Sequence, residues 1–150
     1  IPGALSPGQY LAQVLVGGQA VARTTVTVVN RSPGVFSAFN PDGRANATLA
    51  PAHVGDLIQL YGTGQGPNPG TSGVADGAPA SFATPAYTRG LPAVTIGGVA
   101  ATVRRSALLP GQAGVWQVGV SVPAGVPTGP AVPVVVTLGS LSAALPLAIQ

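Results

Sequence analysis

The sequence of 150 residues has no cysteine, no lysine, no glutamate and no methionine, and only 6% of its residues are charged. Soluble domains ordinarily carry about 25% charged residues. Without cysteine, the chain has neither a disulfide framework nor a thiolate metal site. Without lysine, it can form no lysine Schiff base and no Lys–Asn crosslink. The absence of glutamate leaves any paired-carboxylate chemistry to three aspartates far apart in the sequence.

The sparse charges also decide which partners the chain can have. Six arginines against three aspartates give a net charge of +3, and only Arg104 and Arg105 are adjacent. Nucleic-acid binding needs basic residues clustered on one face, so we expect no nucleic-acid partner. No apolar run is long enough to span a membrane, so we expect no span. Weak charge repulsion between copies fits two interpretations: a neutral surface on a rigid secreted module, or a surface buried against other copies.

The last 29 residues of the sequence have a counterpart at its start. Residues 1–29 align without a gap on residues 122–150, which lie 121 positions later. The positions that are identical are Pro2, Gly8, Val14, Gly18 and Ala22. Most of the other apolar positions keep their class, which predicts a structural repeat with a period of 121 residues. Residues 30–150 are then one complete unit, and residues 1–29 resemble the last two strands of a preceding unit.

Proline and glycine divide the chain into short runs rich in valine and threonine. There are 16 prolines and 22 glycines, and no run keeps the apolar spacing of a helix. This pattern is typical of an antiparallel β-sandwich. Gly17-Gly18, Gly97-Gly98 and Gly139 predict hairpin turns, and Pro133 and Pro146 predict edge positions because proline cannot donate to a ladder. The predicted strands are 10–16, 20–29, 35–39, 57–61, 93–96, 100–104, 115–122, 133–138 and 142–149, with further short strands considered at 46–49 and 83–87.

Two motifs invite a catalytic interpretation that their context does not support. The run from Tyr61 to Pro67 resembles a dinucleotide-binding loop, but its third glycine comes one residue early and a proline stands where a helix should begin. His53 and Asp56 could serve a serine triad, but no nucleophile-elbow motif marks a serine. We predict a tight turn for the first motif and a turn histidine for the second, and therefore no enzymatic activity.

The aspartates do not predict a metal or cofactor site. Asp42, Asp56 and Asp76 could bind a hard cation, but a calcium site needs about six oxygens or more. The stretch from Asn40 to Gly43 is first of all a turn sequence. We predict no metal and no cofactor.

The long segment 62–87, rich in glycine, proline, serine and alanine, is predicted to be mainly loop. Loops of this length are usually functional or mobile. As an alternative to a structural role, Phe82 and Tyr87 could hold a glycan or another partner.

Trp116 shares its parity with apolar residues of the 115–122 strand, so core packing is predicted for it. Asn30 and Asn46 begin N-glycosylation patterns, which the sequence alone leaves open.

Several motifs in their order resemble a known module. They are the Pro33–Phe36 run, the Tyr61–Pro67 turn, Gly97–Ala101, Pro110-Gly111, Gly114–Val118 and Val122-Pro123. Together they resemble the uncharacterised Ig-like domain that recurs, often at the C-terminus, in large secreted proteins of Solibacter-type Acidobacteria. The resemblance covers 30–150, and its tail covers 1–29 again. It implies an Ig-like sandwich and an extracellular setting, and it carries no catalytic residues; Gln65 stands where the family more often has leucine.

These observations predict an all-β chain, an Ig-like antiparallel β-sandwich with an extra N-terminal β-hairpin. The first hypothesis for function is a structural subunit of an extracellular fibre or surface assembly, joined head-to-tail to other copies by strand addition through the hairpin. The alternatives are a passive spacer from a tandem array and an adhesion or glycan-binding module. Because the chain begins at Ile1 without an initiator Met, we expect a processed chain or an excerpt from a longer one. The residues assigned to assembly are Tyr10, Leu11, Val14, Val16, Val21, Val26 and Val28.

Overall fold

A computed structural model describes residues 5–66 and 74–150. The described residues up to Asn30 form one compact unit, and the chain from Arg31 onward forms a second. No helix occurs in the described ranges, and none there could cross a membrane. The strands are β1 (Gly8–Val16), β2 (Gln19–Val28), β3 (Gly34–Phe39), β4 (Leu57–Thr63), β5 (Ala93–Ile96), β6 (Val99–Leu108), β7 (Trp116–Ser121), β8 (Gly129–Leu138) and β9 (Leu141–Ile149). The prediction of an all-β chain is confirmed.

The first unit is a two-stranded hairpin. β1 and β2 pair antiparallel around Gly17 and Gly18, with a register shift between Val14 and Leu15. Both glycines have positive φ, 57° and 81°, which other residues rarely adopt, so this pair can turn the chain in two residues. The predicted hairpin is confirmed.

The second unit is a seven-stranded antiparallel sandwich with immunoglobulin-like topology. Its strands follow the order β3-β4-β7-β6-β5-β8-β9. Labelled A to G along the chain, this order reads A-B-E-D followed by C-F-G, the two sheets of an Ig constant-type domain. The long strand β6 passes between the sheets, since its first half pairs with β5 and its second half with β7. We call the layer of β3, β4, β7 and β6 the first sheet.

The core lies between these two layers. Trp116, Ile58 and Leu60 of the first sheet are fully buried, and they belong to one apolar cluster with Val134 and Leu147 of the other layer. Buried residues alternate with more exposed ones along β4, because successive side chains of a strand point to opposite faces. Along β7 this alternation is broken at Gly119, which is buried. The prediction that Trp116 packs in the core is confirmed.

The two strands at the ends of the sheet order, β3 and β9, meet through the side chain of Asn46. Its Nδ2 donates to the Ala148 carbonyl oxygen (3.0 Å), and its Oδ1 accepts from the Ala148 N–H (2.7 Å). The Asn46 N–H donates to the Ala38 carbonyl at the end of β3. The prediction of a strand at 46–49 is wrong: only isolated bridges occur there, because this asparagine side chain takes the place of a backbone ladder.

Two other sequence predictions need correction. The segment 83–87 forms no strand; it makes a single bridge, Tyr87 to Ala107, beside β6. Pro133 is not on an edge strand, because β8 lies between β5 and β9. Proline is tolerated there because the β5–β8 pairing ends at Ile96 and Val134, one residue away, and the Pro133 carbonyl still accepts from the Gly97 N–H. Pro146 is on the terminal strand, as predicted.

Candidate functional site

The hairpin has one apolar face and one mainly polar face. Tyr10 pairs with Val26 and Val14 with Ala22, so these four side chains share a face. Leu11, which pairs with Thr25, lies on the opposite face beside glutamines, threonines and Arg23. Most of the residues assigned to assembly therefore share the apolar face, namely Tyr10, Val14, Val16, Val26 and Val28. Leu11 lies on the opposite face, and Val21 lies at the register shift.

The repeat found in the sequence corresponds to two hairpins with nearly the same strands. Moved forward by 121 positions, β1 and β2 fall on β8 and β9 to within one residue at each end. The register shift lies elsewhere, however: near the turn in the first hairpin, and between Gly129 and Val132 in the second. A shift of one residue exchanges the faces of a strand. Val26 therefore pairs with Tyr10, whereas its equivalent Leu147 pairs with Val132, the equivalent of Leu11.

Equivalent positions of the two hairpins differ most in their burial. Leu11 is 63% exposed and its equivalent Val132 only 5%; Leu15 is 59% exposed and its equivalent Val136 not at all. In the sandwich, β8 is covered because it pairs with β5 on one side and packs into the core. The hairpin therefore exposes apolar residues whose equivalents in the sandwich are buried.

Tyr87 and Phe82, assigned to loop binding, lie in different surroundings. Tyr87 is 56% exposed, beside Ala107, and the Arg105 guanidinium carbon lies 5.8 Å from its ring centroid. Phe82 is 84% exposed, and its ring lies over Gly111 so closely that a Cβ there would be 2.8 Å from it. The described residues include no ring contact between the two, so they do not form one aromatic surface.

The outward face of the first sheet carries a polar and aromatic cluster that the sequence did not predict. We call this cluster of Phe39, Gln59, Tyr61, Arg105, Gln117 and Gly119 the outer groove. The ring centroids of Phe39 and Tyr61 are 5.3 Å apart in an edge-to-face arrangement. Gln117 Nε2 donates to Gln59 Oε1 (3.1 Å) and to the Tyr61 hydroxyl (3.3 Å). The sequence alone could not reveal this cluster, because its residues come from four different strands that only the pairing register brings together.

Glycine at position 119 leaves the middle of the outer groove without a side chain of its own. A Cβ there would meet Gln59 Oε1 at 3.3 Å and Arg105 Cβ at 3.6 Å, so these two side chains lie over the glycine. A depression of about 460 Å³ adjoins the outer groove. It is lined by side chains of the first sheet and by three residues of the following turn: Phe39, Leu57, Gln59, Tyr61, Asn40, Pro41 and Gly43. Arg105 Nε is buried and has no hydrogen-bond partner among the described residues.

A second cavity, of about 260 Å³, lies above Trp116. The indole N–H donates to the buried Ser106 hydroxyl (2.8 Å), which lies 2.6 Å from the Thr88 hydroxyl. Thr88 is also within 2.8 Å of the Gly90 carbonyl oxygen. The Thr88 hydroxyl has one proton and donates to Ser106 Oγ, with the carbonyl oxygens of Gly90 and Ser106 also within its reach. This network fixes the floor of the cavity.

The residues considered for catalysis and metal binding form turns. The His53 N–H donates to Asp56 Oδ2 (2.8 Å), and its ring Nδ1 lies 3.6 Å from the same oxygen. The Arg44 N–H (3.0 Å) and then its guanidinium (2.6 Å) hydrogen-bond to the Asp42 carboxylate and lower the pKa of that carboxyl. In the described ranges, no three His, Cys, Asp or Glu side chains lie close enough to hold a metal ion.

Of the two glycosylation patterns, the one at Asn46 is engaged by the fold. Besides its contact with Ala148, Asn46 Nδ2 donates to Asn40 Oδ1 (3.0 Å), so the nitrogen that would carry a glycan makes two hydrogen bonds. Asn30 lies exposed at the boundary between the two units. Comparisons with protein-family models, with curated proteins and with solved structures found no match to this chain.

Proposed function

We propose that this chain is a non-catalytic structural subunit of an extracellular fibre or surface assembly, and that its N-terminal hairpin joins one copy to the next. The observation that carries the proposal is the burial difference between equivalent hairpins. Leu11, Leu15 and Val26 are exposed, whereas their equivalents Val132, Val136 and Leu147 are buried. Val28 is the exception, because it is buried like its equivalent Ile149. Burying apolar surface is worth about 25 cal/mol per Å², so an uncovered hairpin gains stability from a partner. The family resemblance of residues 30–150 supports the extracellular setting.

The proposed receiving surface is the outer edge of β9 in a second copy. β9 ends the sheet order, and over Leu141–Ile149 its sequence contains no charged residue. Charged residues and prolines on edge strands normally block pairing with other chains, and β9 has only Pro146. β1 likewise has neither charge nor proline. Both edges are engaged at their C-terminal ends: Ala148 of β9 bonds to Asn46 and Ala52, and Ala38 of β3 bonds to Asn46. The edge of β3 is the poorer candidate, because this strand has 6 residues against 9 in β9.

A joint of this kind would connect the copies head to tail. The donor hairpin and the accepting edge are different surfaces, so each copy can accept one neighbour and donate to another. A contact of this kind that does not close on itself produces a filament. Backbone hydrogen bonds would give the joint its affinity, and the apolar side chains of the hairpin would add to it.

The test is sedimentation velocity over a range of concentrations. We expect the wild-type chain to form species larger than a monomer, and Leu11→Glu to be monomeric because it places a charge at a position whose equivalent, Val132, is buried in the sandwich. Leu49→Glu is the matched control, since Leu49 is 98% exposed in the second unit and should leave assembly unchanged. At about 1 mM, even weak contacts of about 4 kcal/mol are populated. If the wild-type chain stays monomeric at this concentration, the assembly proposal fails and the passive-spacer hypothesis takes its place.

A further inference from the structure

We propose that the outer groove binds a neutral polysaccharide. The proposal is independent of the assembly function, because the groove lies on the outward face of the first sheet and shares no residue with the hairpin. It rests on the unused hydrogen-bonding capacity of the groove and on its aromatic rings.

The half-buried polar groups of the groove keep free donors and acceptors. Gln59 uses its Oε1 and Gln117 its Nε2 in the bonds described above, which leaves Gln59 Nε2 and Gln117 Oε1 without a partner among the described residues. An amide nitrogen has two protons to donate and an amide oxygen can accept two bonds. The Tyr61 hydroxyl accepts from Gln117 and can still donate, and Arg105 Nε has a buried N–H without a partner. Among these atoms, Arg105 Nε is the buried one, and a buried donor normally has a partner. It points to a polar ligand, to which the accessible amide groups and the Tyr61 hydroxyl can also bond.

The aromatic rings complete the chemistry that a sugar requires. A pyranose ring has an apolar C–H face, which packs against aromatic rings, and hydroxyl groups at its edge, which bond to amides and guanidinium groups. Phe39 and Tyr61 provide such apolar surfaces next to the amide pair, and Tyr87 extends them beyond Arg105. The adjoining depression, about 460 Å³, is within the range of ligand sites, roughly 300–1,000 Å³.

The polar groups of the groove select a ligand that is rich in hydroxyl groups. The Arg105 guanidinium faces the Tyr87 ring, and the neighbouring Arg104 donates from its Nε to Ser121 Oγ (3.2 Å), so both guanidinium groups already have a contact within the chain. An apolar peptide would leave the two amides and Arg105 unsatisfied, so it fits less well. A neutral hexose polymer satisfies both the rings and the donors.

The test is binding of the full chain to insoluble cellulose, starch and chitin, measured as the bound fraction over a concentration series. We expect retention on at least one of them. Removing a single hydrogen bond should weaken binding about 2- to 10-fold, so Gln59→Ala and Tyr61→Phe should each show that loss. Tyr61→Phe keeps the ring, which protects the fold. Phe82→Ala is the matched control: it removes an exposed aromatic ring outside the groove, and it should bind like the wild type.

No retention on any of the three polymers would overturn the proposal, as would retention that the groove variants leave unchanged. Retention only on acidic polygalacturonate, abolished by salt, would also overturn it, because it would reflect the net charge of +3. Sedimentation of the groove variants separates this result from the proposed assembly, since they should assemble as the wild type does.

Discussion

Asn46 joins strands at opposite ends of the sheet order, with its backbone N–H on Ala38 and its side chain on Ala148. We expect Asn46→Ala to destabilise the second unit by about 1–3 kcal/mol, because the buried Ala148 N–H loses its acceptor. Asn46→Asp keeps that acceptor but loses both Nδ2 bonds, and should also destabilise. Urea unfolding measures both. Thr48→Ala is the control: it removes the same glycosylation pattern at an exposed position and should have little effect. Equal stability of Asn46→Ala and wild type would contradict this role.

The stability of the second unit should also depend on the buried hydrogen bond between Trp116 and Ser106. Ser106→Ala leaves the buried indole N–H without its acceptor and should cost about 1–3 kcal/mol. Trp116→Phe removes the donor and adds a packing loss. Because both changes remove the same bond, the double variant should be more stable than the sum of the single losses predicts. A double-mutant cycle from denaturant unfolding measures the difference, and strict additivity would show that the bond contributes nothing.

At the scale of elements, the turn of the β5–β6 hairpin depends on two glycines for different reasons. Gly97 and Gly98 both have positive φ, 56° and 82°. Alanine at position 98 meets no neighbour and should cost only the backbone strain, about 1–2 kcal/mol. Alanine at position 97 would in addition overlap the Pro127 ring and should cost about 1–3 kcal/mol more. Thermal unfolding compares the pair, and equal losses would show that Pro127 moves away freely.

The elements also show how far the sequence alone can predict this structure. Gly17-Gly18 and Gly97-Gly98 are local signals, so the hairpins and most strand positions could be predicted from them. The register of the first hairpin could not, because one bulged residue decides which face Val26 occupies. Asn46 reaches a strand 102 residues later in the chain, and the outer groove collects residues from four strands. Such contacts depend on tertiary pairing, which no local pattern contains.

The whole molecule combines a self-sufficient sandwich with a hairpin that has uncovered apolar residues. Residues from Arg31 onward already contain all seven strands of an Ig-like domain, so the hairpin is not needed to complete their core. Few charges oppose contact between copies, since only 6% of residues are charged. The hairpin is therefore an addition to a finished fold, and we propose that it forms the joint between copies.

Electron microscopy of the full chain beside a variant that lacks residues 1–29 tests this account most directly. We predict filaments from the full chain and dispersed particles from the shortened one, with the same β-sheet circular dichroism for the sandwich in both. Addition of the isolated 1–29 peptide should not restore filaments, because a hairpin detached from its sandwich cannot link two copies. Filaments of the same form from both chains, or dispersed monomers from both, would contradict the claim that the hairpin is the joint.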